Sequence, residues 1–406
     1  MADTGTEIED AFAICENELC AGCGACVNIC PRDCIQFEED KYGQKRPKID
    51  KKRCVGCGMC RETCPNYDPQ KCWKSKSSQT VYAGWRKDEF ARRTSSSGGV
   101  ASVIAEYVIQ NSGVVYGASQ EQENILYRRA DTKEALNKFK GSKYVQADSS
   151  KIYRQIEKDI RNQNRVLVTG TPCLIAGILS YMDKKNLGEE CKKYLVTIDL
   201  VCHGSVPQKY FEEHIKEIVQ KKEIKYDQIT FRSNIPGENY KLILKKNGQT
   251  VYSRRAESDL YFYSFLSAVS VRESCTNCRY KTMKRCGDIT LGDFLGLGKE
   301  IPFQEDLKGI HPSLILVNSV IGKEIIEENK EKLYLFQRTL EEARKGGPSL
   351  RMEDITNDIR WRKQRKKFKR FYPAQGFEKA ARKSVGNQVF LSVCKDKAKK
   401  ILKGKT

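Results

Sequence analysis

Apolar residues in the middle of the chain alternate between helical spacing and short continuous runs. The helical spacing predicts helices over residues 100–110, 149–163, 174–182 and 207–221. The first of these follows a serine-rich segment that we expect to cap it, and Gly113 is expected to close it. The short runs predict buried strands over residues 114–118, 166–168 and 195–201.

These alternating elements continue into a hairpin over residues 242–252, which turns at Asn247-Gly248. Strands that alternate with helices, together with such a hairpin, predict a mixed α/β domain over about residues 80–340. We divide this domain into an earlier part, residues 80–160, and a later part, residues 161–340. The serine- and lysine-rich residues 72–80 are a predicted linker that leads into it.

A duplicated cysteine motif precedes this domain. Residues 20–31 read Cys-Ala-Gly-Cys-Gly-Ala-Cys-Val-Asn-Ile-Cys-Pro, and residues 54–65 read Cys-Val-Gly-Cys-Gly-Met-Cys-Arg-Glu-Thr-Cys-Pro. Every cysteine, both interior glycines and the proline are in register. Between the copies, residues 35–37 and 47–50 are predicted strands on either side of a turn at residues 42–43. Residues 1–75 are therefore predicted to form a small pseudo-symmetric module.

The spacing within each copy is typical of ligands to iron–sulfur cubanes. Three cysteines separated by two residues bind one cluster, and the fourth, which precedes proline, binds the other cluster. The predicted ligand sets are Cys20, Cys23, Cys26 and Cys64 for one [4Fe–4S] cluster, and Cys54, Cys57, Cys60 and Cys30 for the second. A pair of zinc sites is the alternative, but zinc does not require two interleaved sets that end in Cys-Pro. Outside this pattern, Cys15, Cys34 and Cys72 are interpreted as buried or incidental residues.

A second group of cysteines lies in the α/β domain. Cys173 and Cys202 each follow a predicted strand, and Cys275 and Cys278 form a C-x2-C pair with Cys286 nearby. Strand ends converge in α/β domains, so Cys173, Cys202, Cys275 and Cys278 can assemble a third [4Fe–4S] site. The spacing alone leaves a zinc site or unrelated buried cysteines open, because zinc ribbons share the C-x2-C pair.

The chain is strongly basic, with a net charge of +21. The densest basic run, residues 360–370, lies in a basic C-terminal tail that we assign to residues 341–406. We favour a solvated helix whose aromatic residues pack on the body over a docking strip for an acidic protein, a membrane surface or nucleic acid. Nucleic acid is not expected, since no nucleic-acid motif accompanies the run.

The sequence contains no secretory-type leader and no long apolar span. A cytoplasmic location, where thiols stay reduced, is therefore expected.

Several motifs in order along the chain carry a resemblance to a known family. They are the twin cysteine repeat and the segments Arg-Thr-Ser-Ser-Ser-Gly-Gly at 93–99, Gly-Ser-Lys-Tyr-Val-Gln at 141–146, Gly-Thr-Pro-Cys at 170–173, Asp-Leu-Val-Cys-His-Gly at 199–204 and Asp-Ile-Thr-Leu-Gly-Asp-Phe at 288–294. This set, over about residues 15–325, resembles the coenzyme F420 hydrogenase/dehydrogenase beta subunit family. It is most similar to bacterial members that carry an N-terminal ferredoxin domain and often occur in polysaccharide-biosynthesis loci.

The resemblance implies an α+β protein: a bacterial-type dicluster ferredoxin fold followed by a mixed α/β flavin-binding catalytic domain. It implies FAD beside an iron–sulfur cluster, and it favours the third cluster at the four cysteines named above, although Cys286 could replace one of them. The implied flavin contacts are Ser96, Ser97, Gly98, Gly99, Lys143, Tyr144, Gly170, Thr171 and Pro172. Lys143 and His203 are candidate catalytic groups for proton transfer or orientation, although a salt-bridged lysine and a structural histidine are commoner. Asp288 and Asp293 are interpreted as caps of local backbone.

Two functions are consistent with these features. One is an iron–sulfur flavoprotein oxidoreductase that takes electrons from ferredoxin or another low-potential partner and reduces or oxidises a small molecule. The substrate would then be a nucleotide sugar of polysaccharide metabolism, coenzyme F420 or a similar compound. The alternative is a non-enzymatic electron-carrier subunit that docks to a separate catalytic partner.

Overall fold

The computed structural model describes residues 13–74, 79–233, 240–307, 309–346 and 358–403. Residues 1–12 of the predicted module, 75–78 of the predicted linker and 347–357 of the predicted tail lie outside the described residues. The described chain forms the expected mixture of α-helices and β-strands behind a small N-terminal module. Among these residues, no helix has the length and apolar run that crossing a membrane requires.

Short strands and helices follow one another along the described chain. The strands are β1 Ile35–Glu39, β2 Lys45–Ile49, β3 Thr80–Arg86, β4 Val114–Glu121, β5 Asn124–Ala130, β6 Val166–Gly170, β7 Leu195–Leu200, β8 Gln228–Arg232, β9 Tyr240–Lys246, β10 Gln249–Arg255, β11 Ile289–Asp293, β12 Ser313–Val317 and β13 Leu333–Arg338. The helices are α1 Ala25–Ile29, α2 Met59–Glu62, α3 Glu89–Arg93, α4 Val100–Gln110, α5 Lys133–Leu136, α6 Tyr153–Arg161, α7 Pro172–Lys184, α8 Gly188–Tyr194, α9 Gln208–Lys222, α10 Leu260–Leu266, α11 Glu273–Thr276, α12 Val320–Asn329, α13 Leu340–Gly346 and α14 Ile359–Lys403.

Local sequence signals account for several of these boundaries. The predicted hairpin is confirmed: Asn247 and Gly248 both have left-handed backbone angles, as a two-residue turn between β9 and β10 requires. Helix α4 spans the predicted residues, but the expected serine cap is wrong. The helix begins after Gly99, whose φ of 82° is left-handed, and the Ser95 hydroxyl donates to the carbonyl of Ala91 instead.

The body is built on a twisted sheet with the strand order β13-β3-β12-β11-β7-β6-β4-β5. Its central strands β11, β7, β6 and β4 are parallel, and the flanking strands pair antiparallel. The strands β6, β7 and β11 end at Gly170, Leu200 and Asp293, so these ends meet at one carboxyl edge. In α/β sheets, ligands bind outside such an edge. A separate antiparallel sheet, β10-β9-β8, lies in the later half of the chain.

The N-terminal module is packed on the body. Its hairpin β1–β2 is antiparallel, as predicted, and α1 and α2 follow the two cysteine loops. Ala25 and Ile29 of α1 are buried in the same apolar core as Ile156 of α6 and Ile175 of α7. Burial of this apolar surface favours a fixed orientation of the module on the body.

Helix α7 lies along the module and contacts it at successive turns. A Cβ atom at Gly177 would lie 2.9 Å from the Cys23 Sγ atom, so only glycine allows this approach. The Ser180 hydroxyl donates to the Thr63 carbonyl at 2.9 Å, and Lys184 pairs with Glu62. Since Cys173 stands at the start of the same helix, α7 fixes the spacing between the body and both cysteine loops.

The basic C-terminal helix α14 is part of the core. It bends at Gly376, which has a left-handed φ of 71°. Phe368 and Tyr372 are buried, as the favoured interpretation of this run expected. The buried Arg365 donates to the carbonyl of Val271 at 2.9 Å and forms an ion pair with Glu273 at 3.1 Å. Part of the basic run therefore stabilises the fold.

A buried histidine joins α14 to the body. Nε2 of His214 lies 3.1 Å from an Asp259 carboxylate oxygen, and Nδ1 contacts Glu378. Burial opposes a charge on this ring, but the two carboxylates outweigh burial and raise the pKa of His214 to about 10. The protonated imidazole therefore holds α9, α10 and α14 together at neutral pH.

Replacement of Gly177 by alanine tests the close contact between module and body. In a helix interior this change normally stabilises by about 0.5–1 kcal/mol. Here we expect the free energy of unfolding to fall by about 1–3 kcal/mol, because the new Cβ atom overlaps Cys23 and the Tyr153 hydroxyl. Gly188→Ala is the matched control, since no atom lies within 4 Å of its Cβ position. Equal urea midpoints for the two variants would contradict this packing.

The histidine contact predicts a pH dependence of stability. The pKa of His214 is raised above its usual value of 6.5, so its contribution is complete below that pH and disappears as pH rises through about 10. His214→Gln should lower the free energy of unfolding by roughly 3 kcal/mol at pH 6, and the loss should shrink towards pH 10. Urea titrations across this range measure it, with the exposed His311→Gln as control. A pH-independent difference would mean that the ring is not charged.

Candidate functional site

The first set of predicted ligands lies at the junction between module and body. Burial raises the pKa of Cys23, and the thiolates of Cys64 and Cys20 raise it further, so the structure brings these three thiols together. The pKa of Cys26 is raised by burial and by the same neighbours. Carbonyl contacts fix this loop: the Tyr153 hydroxyl donates to the Cys23 carbonyl at 2.8 Å. Cys64 thus joins the first loop rather than its own, which is the interleaving that two cubanes require.

Peptide N–H groups add to this environment. The amides of Gly22 and Ala25 donate to the sulfurs of Cys20 and Cys23, and the amide of Asn66 donates to Cys64. Such N–H···S bonds stabilise the thiolate form that binds iron. The donor set therefore fits an iron–sulfur cluster.

The second predicted set lies further from the body. Burial raises the pKa of Cys60, and Cys30 and Cys57 raise it further. Cys57 is exposed, and Cys54 and Cys60 are only partly buried. The two copies of the motif therefore differ in environment: the first is enclosed and the second faces solvent.

Two cysteines that sequence reasoning set aside lie beside these sets. A hydrogen bond to Cys20 is the largest effect that raises the pKa of Cys15, and Cys64 contributes next. The Cys34 sulfur lies 3.3 Å from the Cys30 sulfur. Cys34 is buried, as one of the two interpretations expected. The contacts with Cys20 and Cys30 were not predicted, although each partner lies only four or five residues away in the sequence. Cys72 is buried and donates to the Ala176 carbonyl at 3.3 Å, in line with a structural role.

The third predicted set lies where the body meets the first loop. Burial raises the pKa of Cys202, and Cys275, Cys173 and Cys278 raise it further, so the four thiols are neighbours. The pKa of Cys278 is likewise raised to about 12. Burial is the largest cause, and Cys275 and Cys173 contribute less. The Ser205 amide donates to the Cys275 sulfur at 3.3 Å. These four thiols are partly buried, and thiols of this kind lose their protons when iron binds.

Cys286 is separate from the centre of this set. Burial raises its pKa, and its largest electrostatic neighbours are Asp199 and Cys72. Of the four thiols in the third set, only Cys173 is named among the main causes, and it acts more weakly than these two. Among the described residues, no group of three or more His, Cys, Asp or Glu side chains has single-ion spacing. The four thiolates of a cubane bind different irons, so a cluster does not need that spacing.

A buried arginine joins the first and third sets. Arg272 is 1% exposed, and its guanidinium donates to the Cys20 carbonyl at 3.1 Å and to the Gln146 amide oxygen at 2.6 Å. Burial lowers its pKa, while the thiolates of Cys20, Cys275 and Cys173 raise it. Its Nε atom is buried without a hydrogen-bond partner in the described structure. Arg272 therefore supplies a positive charge between two groups of thiolates.

The same arginine acts on the first set. A hydrogen bond from Cys15 and the charge of Arg272 lower the pKa of Cys20 to about 5, against the effect of burial. Sequence reasoning missed Arg272, since the partners of its guanidinium group, Gln146 and Cys20, are more than a hundred residues away in the sequence. Its position three residues before Cys275 was the only available signal.

Several implied flavin contacts meet at the carboxyl edge of the sheet. The Gly98 amide donates to the Ser313 hydroxyl at 3.0 Å, and Ser313 pairs with Asp293 at the end of β11. Arg232 donates to the Ser96 carbonyl at 2.6 Å and to the Tyr144 hydroxyl at 2.9 Å. It also forms an ion pair with Asp293 at 2.7 Å, so Asp293 has a longer-range role than the predicted local cap. Arg232 was missed because no motif contains it.

Two helices begin at this edge without a side-chain cap. Helix α4 begins after Gly99, and α7 begins after Thr171 with Pro172 in its first turn. The positive ends of helices of this length attract phosphate or an anionic ring. Hence the amides next to Gly99 and Thr171 fit an anionic cofactor.

The glycines themselves are explained by packing within the protein. A Cβ atom at Gly98 would lie 2.5 Å from the Gly84 carbonyl oxygen, and one at Gly170 would lie 2.9 Å from the Tyr127 hydroxyl. Burial raises the pKa of Tyr127, followed by the thiolates of Cys173 and Cys202. The Tyr127 hydroxyl therefore lies close to Gly170 and near Cys173 and Cys202 of the third thiol set. Ser97 is partly exposed at the same edge.

The two candidate catalytic groups have different environments. Burial lowers the pKa of Lys143 to about 7. Its ammonium group donates to the carbonyls of Phe139, Lys140 and Gly141 at 2.8–3.1 Å, which favours the charged form. Burial also lowers the pKa of His203, whose Nε2 lies 3.2 Å from the Phe265 carbonyl oxygen. Lys143 orders its own loop, and His203 is neutral at pH 7.

Buried carboxylates fix the loop that follows the C-x2-C pair Cys275–Cys278. Asp199 and Arg285 are both buried and form an ion pair at 3.1 Å. Asp288 accepts from Lys74 at 2.8 Å and from the Thr197 amide at 2.8 Å. The interpretation of Asp288 as a local cap is therefore wrong, because its partners are far away in the sequence. These pairs hold β7 and β11 in register beside the third set.

Comparison with known proteins identifies two regions. Residues 163–343 match the family model for the C-terminal part of the beta chain of coenzyme F420 hydrogenase/dehydrogenase, and residues 19–74 match a 4Fe-4S dicluster domain. The resemblance inferred from the motifs is thereby confirmed, as is the N-terminal iron–sulfur module.

Solved structures also include a similar chain. It comes from a structure on xenon derivatization of the F420-reducing [NiFe] hydrogenase complex from Methanosarcina barkeri. The sequence identity is 14% and the TM-score 0.45, and the alignment covers 65% of this chain and 83% of that one. No curated protein matches.

The buried charge at Arg272 predicts a change in reduction potential. Arg272→Met should lower the midpoint potential of the centre at Cys20 by on the order of 50 mV, because reduction adds negative charge that the guanidinium stabilises. Arg272→Lys should retain most of the wild-type value. Redox titrations followed by EPR measure the shift, and an iron count identifies variants that have lost the cluster. Equal potentials in an iron-replete methionine variant would limit Arg272 to a structural role.

Proposed function

Because this chain is an iron–sulfur electron-transfer protein related to the coenzyme F420 hydrogenase/dehydrogenase beta subunits, we propose that it is an iron–sulfur flavoprotein oxidoreductase. In this proposal, electrons from a low-potential partner pass through both module clusters and a third cluster to FAD. The flavin then reduces or oxidises a small molecule. Cys173, Cys202, Cys275 and Cys278 hold the third cluster, and Cys286 stays outside it.

The observation that carries this proposal is the order of thiol sets along α7. Cys173 stands at the start of this helix, Gly177 contacts Cys23 of the first set, and Lys184 pairs with Glu62 beside the second loop. With a rise of about 1.5 Å per residue, these contacts are spread over roughly 16 Å. A short, ordered series of centres is what one-electron transfer between a surface and a buried site needs.

The carboxyl edge of the sheet is the proposed flavin site. The uncapped starts of α4 and α7 would bind the anionic part of FAD, and Arg232 orients Tyr144 and the Ser96 backbone around it. A flavin exchanges single electrons with clusters and electron pairs with organic substrates. Neutral His203 and the loop of Lys143 would orient the reacting groups rather than stabilise them by charge.

Support for the electron-carrier alternative comes from the glycines. Gly98 and Gly170 are closely approached by Gly84 and Tyr127 of the chain itself, so the absence of side chains at these positions does not require a flavin. In that case the chain passes electrons from its clusters to a separate catalytic protein.

For the enzyme, we propose a nucleotide sugar or coenzyme F420 as the substrate class and the cytoplasm as the compartment, where thiolate ligands stay reduced.

The deciding experiment is a count of iron, sulfide and flavin per chain after anaerobic purification and reconstitution. We expect about twelve irons, at four per cubane, with stoichiometric FAD. Cys202→Ser should lower the count to about eight irons, whereas Cys286→Ser should leave it unchanged. About eight irons in the wild type would remove the third cluster. A full iron content without bound FAD would leave the electron carrier as the function.

A further inference from the structure

We propose that the second cysteine loop, residues 54–60, is a docking surface for an acidic one-electron carrier protein. This inference rests on the proposed function, since it gives the point at which electrons enter the chain or leave it. It goes further by assigning a particular surface and a partner of defined charge.

The first observation is the contrast in exposure between the two copies of one motif. In the first copy, a Cβ atom at Gly22 would lie 2.8 Å from the Gln146 side chain, and one at Gly24 would lie 3.4 Å from the Tyr153 ring. In the second copy, no atom of the described chain beyond its own neighbours lies within 4 Å of a Cβ at the corresponding Gly56, and Gly58 has only the end of the Glu62 side chain at 4.0 Å. The chemistry of the two loops is the same, but only the second is open to a partner.

Residues 55–58 of the second loop are exposed to solvent. Val55 is 62% exposed, and Cys57 and both glycines of the loop are exposed. An exposed apolar residue beside a cluster thiol offers a short path for an electron to a protein that covers it. A hydrophobic centre within a polar rim is also the usual anatomy of a protein interface.

The second observation is the charge of the rim. Residues 51–71 contain five basic and two acidic residues, whereas residues 13–30 around the first loop contain two acidic residues and no basic one. Lys52 and Arg53 stand directly before Cys54, and Arg61 follows the loop on α2; all three are exposed. The positive charge is therefore concentrated on the copy that faces solvent.

Local acids cancel only part of this charge: the exposed Asp50 stands beside Lys52 and Asp68 pairs with Lys71, while two further acids are paired with the body. Glu62 is paired with Lys184 of the body. Asp33, on the neighbouring turn, is paired with Arg154 of α6, and the contact lowers the pKa of its carboxyl. These pairs tie the module to the body and leave a basic rim around Val55. Such a surface attracts an acidic partner and increases its rate of association at low ionic strength.

The basic run of α14 is the competing surface. Its Arg365 and Lys369 are already paired with Glu273, and of its aromatic residues Phe368 is buried and Trp361 partly buried. Lys366 and Lys367 remain exposed on it. This helix packs on α9 and α10, and it meets the module at the hairpin turn between β1 and β2, where Lys369 lies over the Tyr42 ring. That turn is a different segment of the module from the exposed loop. The two surfaces can therefore be tested separately with equal changes of charge.

The test measures the rate at which a reduced acidic ferredoxin transfers electrons to the oxidised protein, by stopped-flow absorbance under anaerobic conditions. We expect the wild-type rate to fall steeply with ionic strength. The Lys52→Glu/Arg53→Glu double variant should lower the low-salt rate at least tenfold. The matched control, Lys366→Glu/Lys367→Glu, should transfer electrons at close to the wild-type rate. A further variant, Val55→Glu, places a charge at the centre of the surface and should also slow transfer.

Dithionite separates failure of this inference from failure of the proposed function. Both double variants should keep the wild-type iron content and be reduced by dithionite at the wild-type rate, since a small reductant needs no docking surface. Loss of rate in the α14 variant alone, or equal ferredoxin rates in all variants, would overturn the docking surface while leaving the clusters in place. Wild-type protein that dithionite reduces but ferredoxin does not would overturn it as well. Absence of any reducible cluster would instead refute the proposed function.

Discussion

The close contact between Gly177 and the Cys23 loop is the constraint on which the rest of the arrangement depends. Electron transfer between centres weakens steeply with distance, so the function requires the module to stay fixed against the body. Gly177 removes the side chain that would hold them apart, and the Tyr153 hydroxyl binds the loop carbonyl beside it. Because Cys173 lies one turn earlier on the same helix, this one contact fixes the spacing of two thiol groups.

Buried charges give that junction its chemistry. Arg272 lies between the thiols of the first and third sets, where each ionised thiol would otherwise repel the next. The Asp199–Arg285 pair holds the loop of the C-x2-C pair against the end of β7. Removing a partner from such pairs costs more than the pairs themselves contribute, so they mainly specify a unique geometry. The junction is thus both a structural interface and the electrostatic environment of the redox centres.

Local sequence was sufficient for those features that depend on neighbours in the chain. The cysteine repeat, the span of α4 and the hairpin at Asn247-Gly248 follow from spacing and backbone preference, and the structure contains each of them. The motifs likewise indicated the family resemblance that residues 163–343 carry and the dicluster module. The prediction of a serine cap on α4 was wrong, because the residue before the helix is Gly99 in a left-handed conformation and no side chain caps the helix.

Long-range contacts could not be predicted in this way. Arg272, Arg232 and His214 stand outside every motif, and their partners come from segments that only the fold brings together. Cys15 and Cys34 are a different case, because they contact Cys20 and Cys30 only four or five residues away, and the cluster spacing alone gave them no role. The difference in exposure between the two cysteine loops was also invisible, because both loops share the cysteine and glycine pattern and only contact with the body buries one of them.

The central claim is that three thiol sets form one continuous series of iron–sulfur centres. The EPR spectrum of the fully reduced protein tests it most directly, since neighbouring paramagnetic clusters split each other's signals. The account predicts interaction between the first and third centres, in addition to that between the two module clusters, and its loss in a variant without Cys202. A third signal with no interaction, or a spectrum of the module clusters alone, would contradict the account.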